Sequence, residues 1–361
     1  MKFLLFLLTF CLIPCTVLAA DVSYSLLPRT IYLEQDDIGK YLNFDILLKN
    51  ESEQEETVVY MEMSIFDDKN RFLSRQSMSG NGLPGAIETM PSRTMEANGR
   101  MTIFNPFDRW PPDLDIKKLE LNIYFGKADP LKIIIEPVSA RTGNLLMLPV
   151  TGNTLVEDGN HFFSHHRRVA MTSNEAKEAG MKSLTQRFAL DFSVVDEHGG
   201  YREGSRNQLT NWYAYGTDVL VPDDGEIVFI RSNMKDNLMS KDGDVIKPEN
   251  YESFGNDASA GNYVVIQHGK NNYSMLAHFK YKTMTLNVGD RVSKGDFLGK
   301  IGFSGDTAYP HLHFQLQDGA DILTANPLPV YFECIKKVYS NKSRSMVRLM
   351  TGDLVTACSP N

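Results

Sequence analysis

Pro310-His311-Leu312-His313-Phe314, with the turn Gly302-Phe303-Ser304-Gly305-Asp306-Thr307 just before it, is the stretch that decides this chain's fold and chemistry. Residues two apart in a strand point to the same side. His311 and His313 therefore present two imidazoles to one face, while Leu312 and Phe314 point to the other. Neutral imidazole is a good zinc ligand, and one of the pair could serve as a base beside the metal. A His-x-His strand alone is weak, because two histidines can simply decorate a sheet.

Working outward, the neighbouring segments also read as strands with turns between them. Gly261-Asn262-Tyr263-Val264-Val265-Ile266-Gln267-His268-Gly269 precedes Tyr273-Ser274-Met275-Leu276-Ala277-His278-Phe279. Then come Val288-Gly289-Asp290-Arg291-Val292 and Gly295-Asp296-Phe297-Leu298-Gly299. Upstream lie Phe188-Ala189-Leu190-Asp191-Phe192, Tyr215-Gly216-Thr217-Asp218 and Asp224-Gly225-Glu226-Ile227-Val228. All eight histidines fall between His161 and His313. Chemistry is expected in that half of the chain.

The other half is β-like without such a cluster. In Tyr41 to Leu48, the apolar Leu42, Phe44, Ile46 and Leu48 take every second position, as a half-buried strand requires. Several more short strands follow, up to about Pro137. The expectation is an immunoglobulin-like antiparallel β-sandwich over residues 21–137. Residues 138–160, interrupted by Gly143, Gly152 and Gly159, read as a linker. Residues 161–330 form the expected catalytic domain and 331–361 a C-terminal tail. The fold class is mainly β throughout.

The first residues, 1–20, read as a signal peptide: Lys2, an apolar run from Phe3 to Ile13, and small residues at Ala19-Ala20. The run is too short to span a bilayer, which takes roughly 20 residues, so no transmembrane anchor is expected. A lipid anchor at Cys15 is the rival reading, with Pro14 where a small residue is preferred. Cys334 and Cys358 remain for a disulfide that closes the tail in an oxidising compartment. The formal net charge of −8 argues against a nucleic-acid partner.

Taken in order, these motifs resemble the M23 metallopeptidases, the LytM/lysostaphin family, over about residues 164–327. The resemblance implies a single Zn2+ held by two His and one Asp with one coordination place open. It implies peptidoglycan peptides as substrate and a periplasmic or extracellular location. Carried onto this chain, His313 and Asp191 are metal ligands, His311 is the general base, and His278 orients water or stabilises the oxyanion.

One place departs from the pattern. Four residues before Asp191 the family has a ligand His; here Arg187 stands. A guanidinium has no lone pair for a metal. Ser164-His165-His166-Arg167-Arg168 offers a replacement, with His165 as first candidate and His166 as alternative. Arg187 itself is expected to orient Asp191 or to bind a substrate carboxylate. The competing function is a catalytically degenerate domain that binds cell wall or activates an amidase, and the N-terminal domain could recruit a partner protein.

Overall fold

The computed structural model describes residues 21–357, apart from 83–84, 90–92, 127–128, 141–144, 341–342 and 345. The expected signal peptide, the Cys15 anchor and Cys358 lie outside the described residues. Cys334 is disulfide-bonded.

The chain is mostly β, built from antiparallel sheets. In the N-terminal part, Val22–Leu27, Asp45–Asn50 and Arg100–Phe104 make a three-stranded sheet. Leu131–Ile135, Lys118–Phe125, Glu56–Phe66 and Phe72–Ser79 make a second, with Thr94–Met95 paired to one end. Their alternate apolar residues share one core: Phe44, Ile46, Leu48 and Ile103 meet Met61, Met63, Ile65, Leu119, Leu121 and Ile123. The alternation read from Tyr41 to Leu48 is what supplies one side of that core. A third sheet of short strands, Val138–Ser139, Tyr32–Gln35, Lys40–Leu42 and Arg109–Trp110, lies outside a simple two-sheet arrangement.

An eleven-stranded sheet organises the second half. At its centre, Asn262–Gly269, Asn272–Phe279, Leu312–Gln317 and Leu190–Val194 lie side by side. One face carries Leu190, Phe192, Val264, Ile266, Leu276, Leu312, Phe314 and Leu316 into the main core. The other face carries the polar residues of the site. Residues 138–160 contribute Leu146, Leu148 and Val150 to that core, and Thr154–Asp158 pairs with Leu190–Val194 as a strand of the same sheet. The tail does likewise through Ile335–Lys337 and Leu354–Ala357. Glycines interrupt the first stretch, but the apolar residues of both, among them Leu146, Leu148, Ile335 and Val355, are buried rather than solvated.

Candidate metal centre

His313 is the second residue of the strand Leu312–Gln317, with Asp191 directly across on one neighbouring strand and Ala277 across on the other. The period of two sends His313 and Gln315 to the polar face, and His311 just before the strand joins them there. The His313 Nδ1 lies 3.1 Å from Asp191 Oδ1. On the other side, Gln315 Nε2 donates to Gln317 Oε1 at 2.6 Å, so Gln315 Oε1 is left to accept from His313 Nε2 at 2.9 Å. That bond places the ring proton on Nε2. The neutral ring then turns a lone pair on Nδ1 toward a carboxylate that also has only lone pairs to offer.

The His165-His166 segment is a turn; its two ring centroids lie 3.9 Å apart, tilted at 44°, but their nitrogens meet different carboxylates. His166 is 3 % exposed, and its Nε2 lies 3.0 Å from Asp191 Oδ2. Both of its ring nitrogens lack a hydrogen-bond partner. Its ring centroid is 4.8 Å from that of His313. His165 is largely exposed, has Nδ1 against Asp158 Oδ2, and keeps its Nε2 4.0 Å from Asp191. The structure thus brings His166, Asp191 and His313 together, with ligand atoms within 4.8 Å of one another. It leaves His165 beside them in a second group with Asp158 and His166.

Lone pairs converging in a buried place require a proton or a cation between them. The orphaned nitrogens of His166 and the forced tautomer of His313 fit a divalent metal. Two imidazoles and one carboxylate are a zinc donor set that leaves a fourth place for water or substrate.

His278 and His311 complete the cluster, with ring centroids 4.9 Å apart. His311 Nδ1 faces the Tyr309 carbonyl at 3.0 Å and the Thr307 hydroxyl at 3.1 Å. The Thr307 hydroxyl donates to the same carbonyl, so it accepts from the ring. His311 Nε2 is left facing Asp191 Oδ1 at 3.5 Å. His278 Nδ1 donates to the Ser304 carbonyl at 2.8 Å, which frees its Nε2.

His278 reaches this face by a backbone irregularity. The pairing of Asn262–Gly269 with Asn272–Phe279 passes from Ala277 to Phe279 and skips residue 278. The bulged residue has φ +67°, a left-handed conformation unusual for histidine. The bulge turns the ring to the side of Met275 and Ala277 instead of into the core. Gly261 and Gly305 hold the neighbouring turn. A Cβ on Gly261 would lie 2.3 Å from the Ser304 carbonyl oxygen, and one on Gly305 would lie 2.4 Å from the Gly261 nitrogen.

The electrostatics follow from burial and from this crowding. Burial alone would raise Asp191, but the imidazoles of His166 and His311 outweigh it and hold the carboxyl well below its ordinary range. Burial lowers His166 against the pull of Asp191. Burial, joined by His311 and His313, holds His278 well below the usual value. For His311, burial opposes protonation, yet the Asp191 carboxylate prevails and the value rises.

The cluster opens into a cavity of about 430 Å³, walled by Met181, Thr185, Asn256, Met275, Tyr309 and Leu323 among others. Part of the 171–185 segment forms one wall. It includes the helix Asn174–Glu178, capped by the Ser173 hydroxyl, which accepts from the Ala176 nitrogen. Tyr309 stacks on Trp212 at 6.0 Å and borders His311 at 5.5 Å.

The structure does not bring Arg187 to this cavity. It lies in a turn before the strand, 2 % exposed, with its guanidinium on Asp45 and Asn43 of the N-terminal part. Sequence reasoning did not find Gln315, Thr307 or Asp158. Gln315 was open to discovery, because it continues the two-residue period of His311 and His313.

Residues 210–325 match the sequence model of peptidase family M23. The resemblance read from the motifs is borne out over that segment. Among curated proteins, the peptidoglycan DD-endopeptidase ShyA of Vibrio cholerae is 39 % identical over 77 residues, 21 % of this chain and 16 % of that relative. The chain therefore spans a small part of the length of this relative. Among solved structures, a zinc-containing peptidase from Vibrio cholerae is 13 % identical, covering 79 % of this chain and 81 % of that one with a TM-score of 0.27. Pseudoalterin, an M23 metalloprotease from the deep sea, is 16 % identical, covering 61 % and 99 % with a TM-score of 0.29.

Proposed function

We propose that this chain is an exported zinc endopeptidase that hydrolyses peptide cross-links of peptidoglycan. The observation that carries the reading is the convergence of His166, Asp191 and His313 on one buried point beside two more imidazoles, with the Nδ1 of each committed to a backbone carbonyl. His166, rather than His165, is the second imidazole ligand on this account, because it is the one that is buried and unpartnered at Asp191. A zinc ion held there supplies Lewis acidity, polarising a scissile carbonyl and making water acidic near neutral pH.

The remaining work falls to side chains of this protein. His311 accepts a proton at Nε2 from the attacking water and returns one to the leaving amine, since its Nδ1 is committed to the Tyr309 carbonyl. His278, neutral and with its Nδ1 committed to the Ser304 carbonyl, presents an Nε2 lone pair that accepts from the attacking water and orients it. The Gln315–Gln317 pair fixes the tautomer and angle of His313. The M23 match and the similarity to a peptidoglycan DD-endopeptidase support a cell-wall substrate.

Export is supported by the basic and apolar leader. No helix among the described residues is long and apolar enough to cross a membrane. The test is release of soluble muropeptides from purified sacculi. His311→Ala and His313→Ala should each abolish it, and undiminished release by either would end the peptidase reading. A non-catalytic wall-binding module is the second reading, favoured by Arg187 in the place of a ligand His. It predicts no stoichiometric zinc in the native protein.

A further inference from the structure

The loop that delivers His166 has no strand ladder of its own. Between His161 and Arg168 its backbone bonds are local turns, such as Arg167 N to the Ser164 carbonyl. Its anchor within the second half is Asp158, which accepts from the His165 nitrogen at 2.9 Å. The anchors on the other side belong to the N-terminal β unit. Arg167, the residue after His166, is buried, pairs with Asp108 at 2.9 Å and donates to the Asn105 carbonyl at 2.9 Å. Arg168 lies over the Phe104 ring at 4.9 Å.

The segment leading to Asp191 is gripped at the same patch. Arg187 pairs with Asp45, with Nη1 at 3.0 Å from Oδ1, and Asn43 Nδ2 donates back to the Arg187 carbonyl at 3.2 Å. Asp45 and Phe104 are cross-strand partners, and the Asn105 nitrogen donates to the Phe44 carbonyl. One end of a single three-stranded sheet thus holds both segments that bring His166 and Asp191 together.

We propose that the N-terminal β unit is a structural component of the metal centre. Asp108 and Asp45 are positioning residues that act through Arg167 and Arg187 to hold His166 and Asp191 in register. Position 187 explains the arrangement: an arginine used for docking cannot ligate, and the imidazole arrives instead on a loop docked to the same patch. The proposal rests on the reading of His166 and Asp191 as zinc ligands.

The experiment uses the full chain and three readouts: Zn2+ affinity by chelator competition, the visible spectrum of the Co2+ form, and amide exchange of residues 161–168 in the metal-free protein. Asp108→Asn should weaken Zn2+ binding by about 10–100-fold, the range seen when a group supporting a ligand is lost. It should also alter the Co2+ spectrum and speed exchange of the loop, and Asp108→Glu should restore much of each. Tyr331→Phe removes an interface hydrogen bond to Gln35 away from the loop and should change none of them. Native affinity, spectrum and exchange in Asp108→Asn would overturn the proposal while leaving the metal site intact. Absence of Zn2+ binding by the native chain would instead sink the functional reading, and exchange alone would then show whether Asp108 anchors the loop. Should Asp108→Asn not fold, Arg167→Lys carries the same test. It keeps the charge but lacks the second N–H group for the Asn105 carbonyl.

Discussion

At the scale of single residues, the imidazoles of the cluster differ in what holds their protons. His278 is kept neutral by burial and by His311 and His313, below the ordinary 6.5. Its folded form binds fewer protons than the unfolded chain. The stabilisation it contributes is therefore complete above about pH 6.5 and is lost as pH falls through its folded value. His311 has the opposite sign, because Asp191 raises it. Its contribution is present below about pH 6.5 and is lost as pH rises through its folded value. Comparing variants separates the two. In urea unfolding of metal-free protein, the native chain should lose more stability than His278→Gln between about pH 7.5 and 5.5. Equal losses would show that the site does not hold His278 neutral. His165 and His166 illustrate what adjacency conceals. Both were candidates from sequence, and only the turn geometry puts His166 inward and His165 on Asp158.

Among the elements, the strand Leu312–Gln317 was the most legible. Its alternation places His313 and Gln315 on one face and Leu312, Phe314 and Leu316 in the core. The functional consequence of Gln315 was not drawn from sequence, because a buried amide between a histidine and a second glutamine has meaning only once all three are seen bonded. Gln315→Leu removes the acceptor for His313 Nε2 while roughly keeping side-chain bulk. Zn2+ affinity should fall by about 10–100-fold, with the fold retained by circular dichroism. Unchanged affinity would mean that the glutamine pair does not orient the ring. His278 marks the limit of periodic reasoning. A strict period of two would send residue 278 to the face of Leu276, and the bulge that reverses it leaves no mark in the pattern of apolar residues.

For the molecule as a whole, the two halves are joined by buried charge. Arg187–Asp45 and Arg348–Glu34 are buried pairs across the interface, and Arg167–Asp108 adds a third whose arginine is buried. Removing one partner of a buried pair costs about 3–5 kcal/mol, against a total stability of about 5–15 kcal/mol for a domain. Such an interface resists opening, which accords with its role in setting the site. Sequence reasoning placed the β-rich halves but read residues 138–160 as a linker and 331–361 as a tail. Both carry strands of the central sheet. The pairing that ties them into the sheet, Thr154 with Val355 and Leu155 with Leu354, joins segments far apart in sequence, and short apolar runs do not reveal it. The partner of Arg187 was hidden for the same reason, since Asp45 lies 142 residues earlier.

The most direct test of the metal centre is anomalous diffraction at the zinc edge from crystals of the native full chain. A single strong peak bounded by His166 Nε2, Asp191 and His313 Nδ1 is predicted, and it should disappear in His166→Ala but persist in His165→Ala. A native protein with no peak at that position, or with zinc held by Asp158 and His165 alone, would contradict the account.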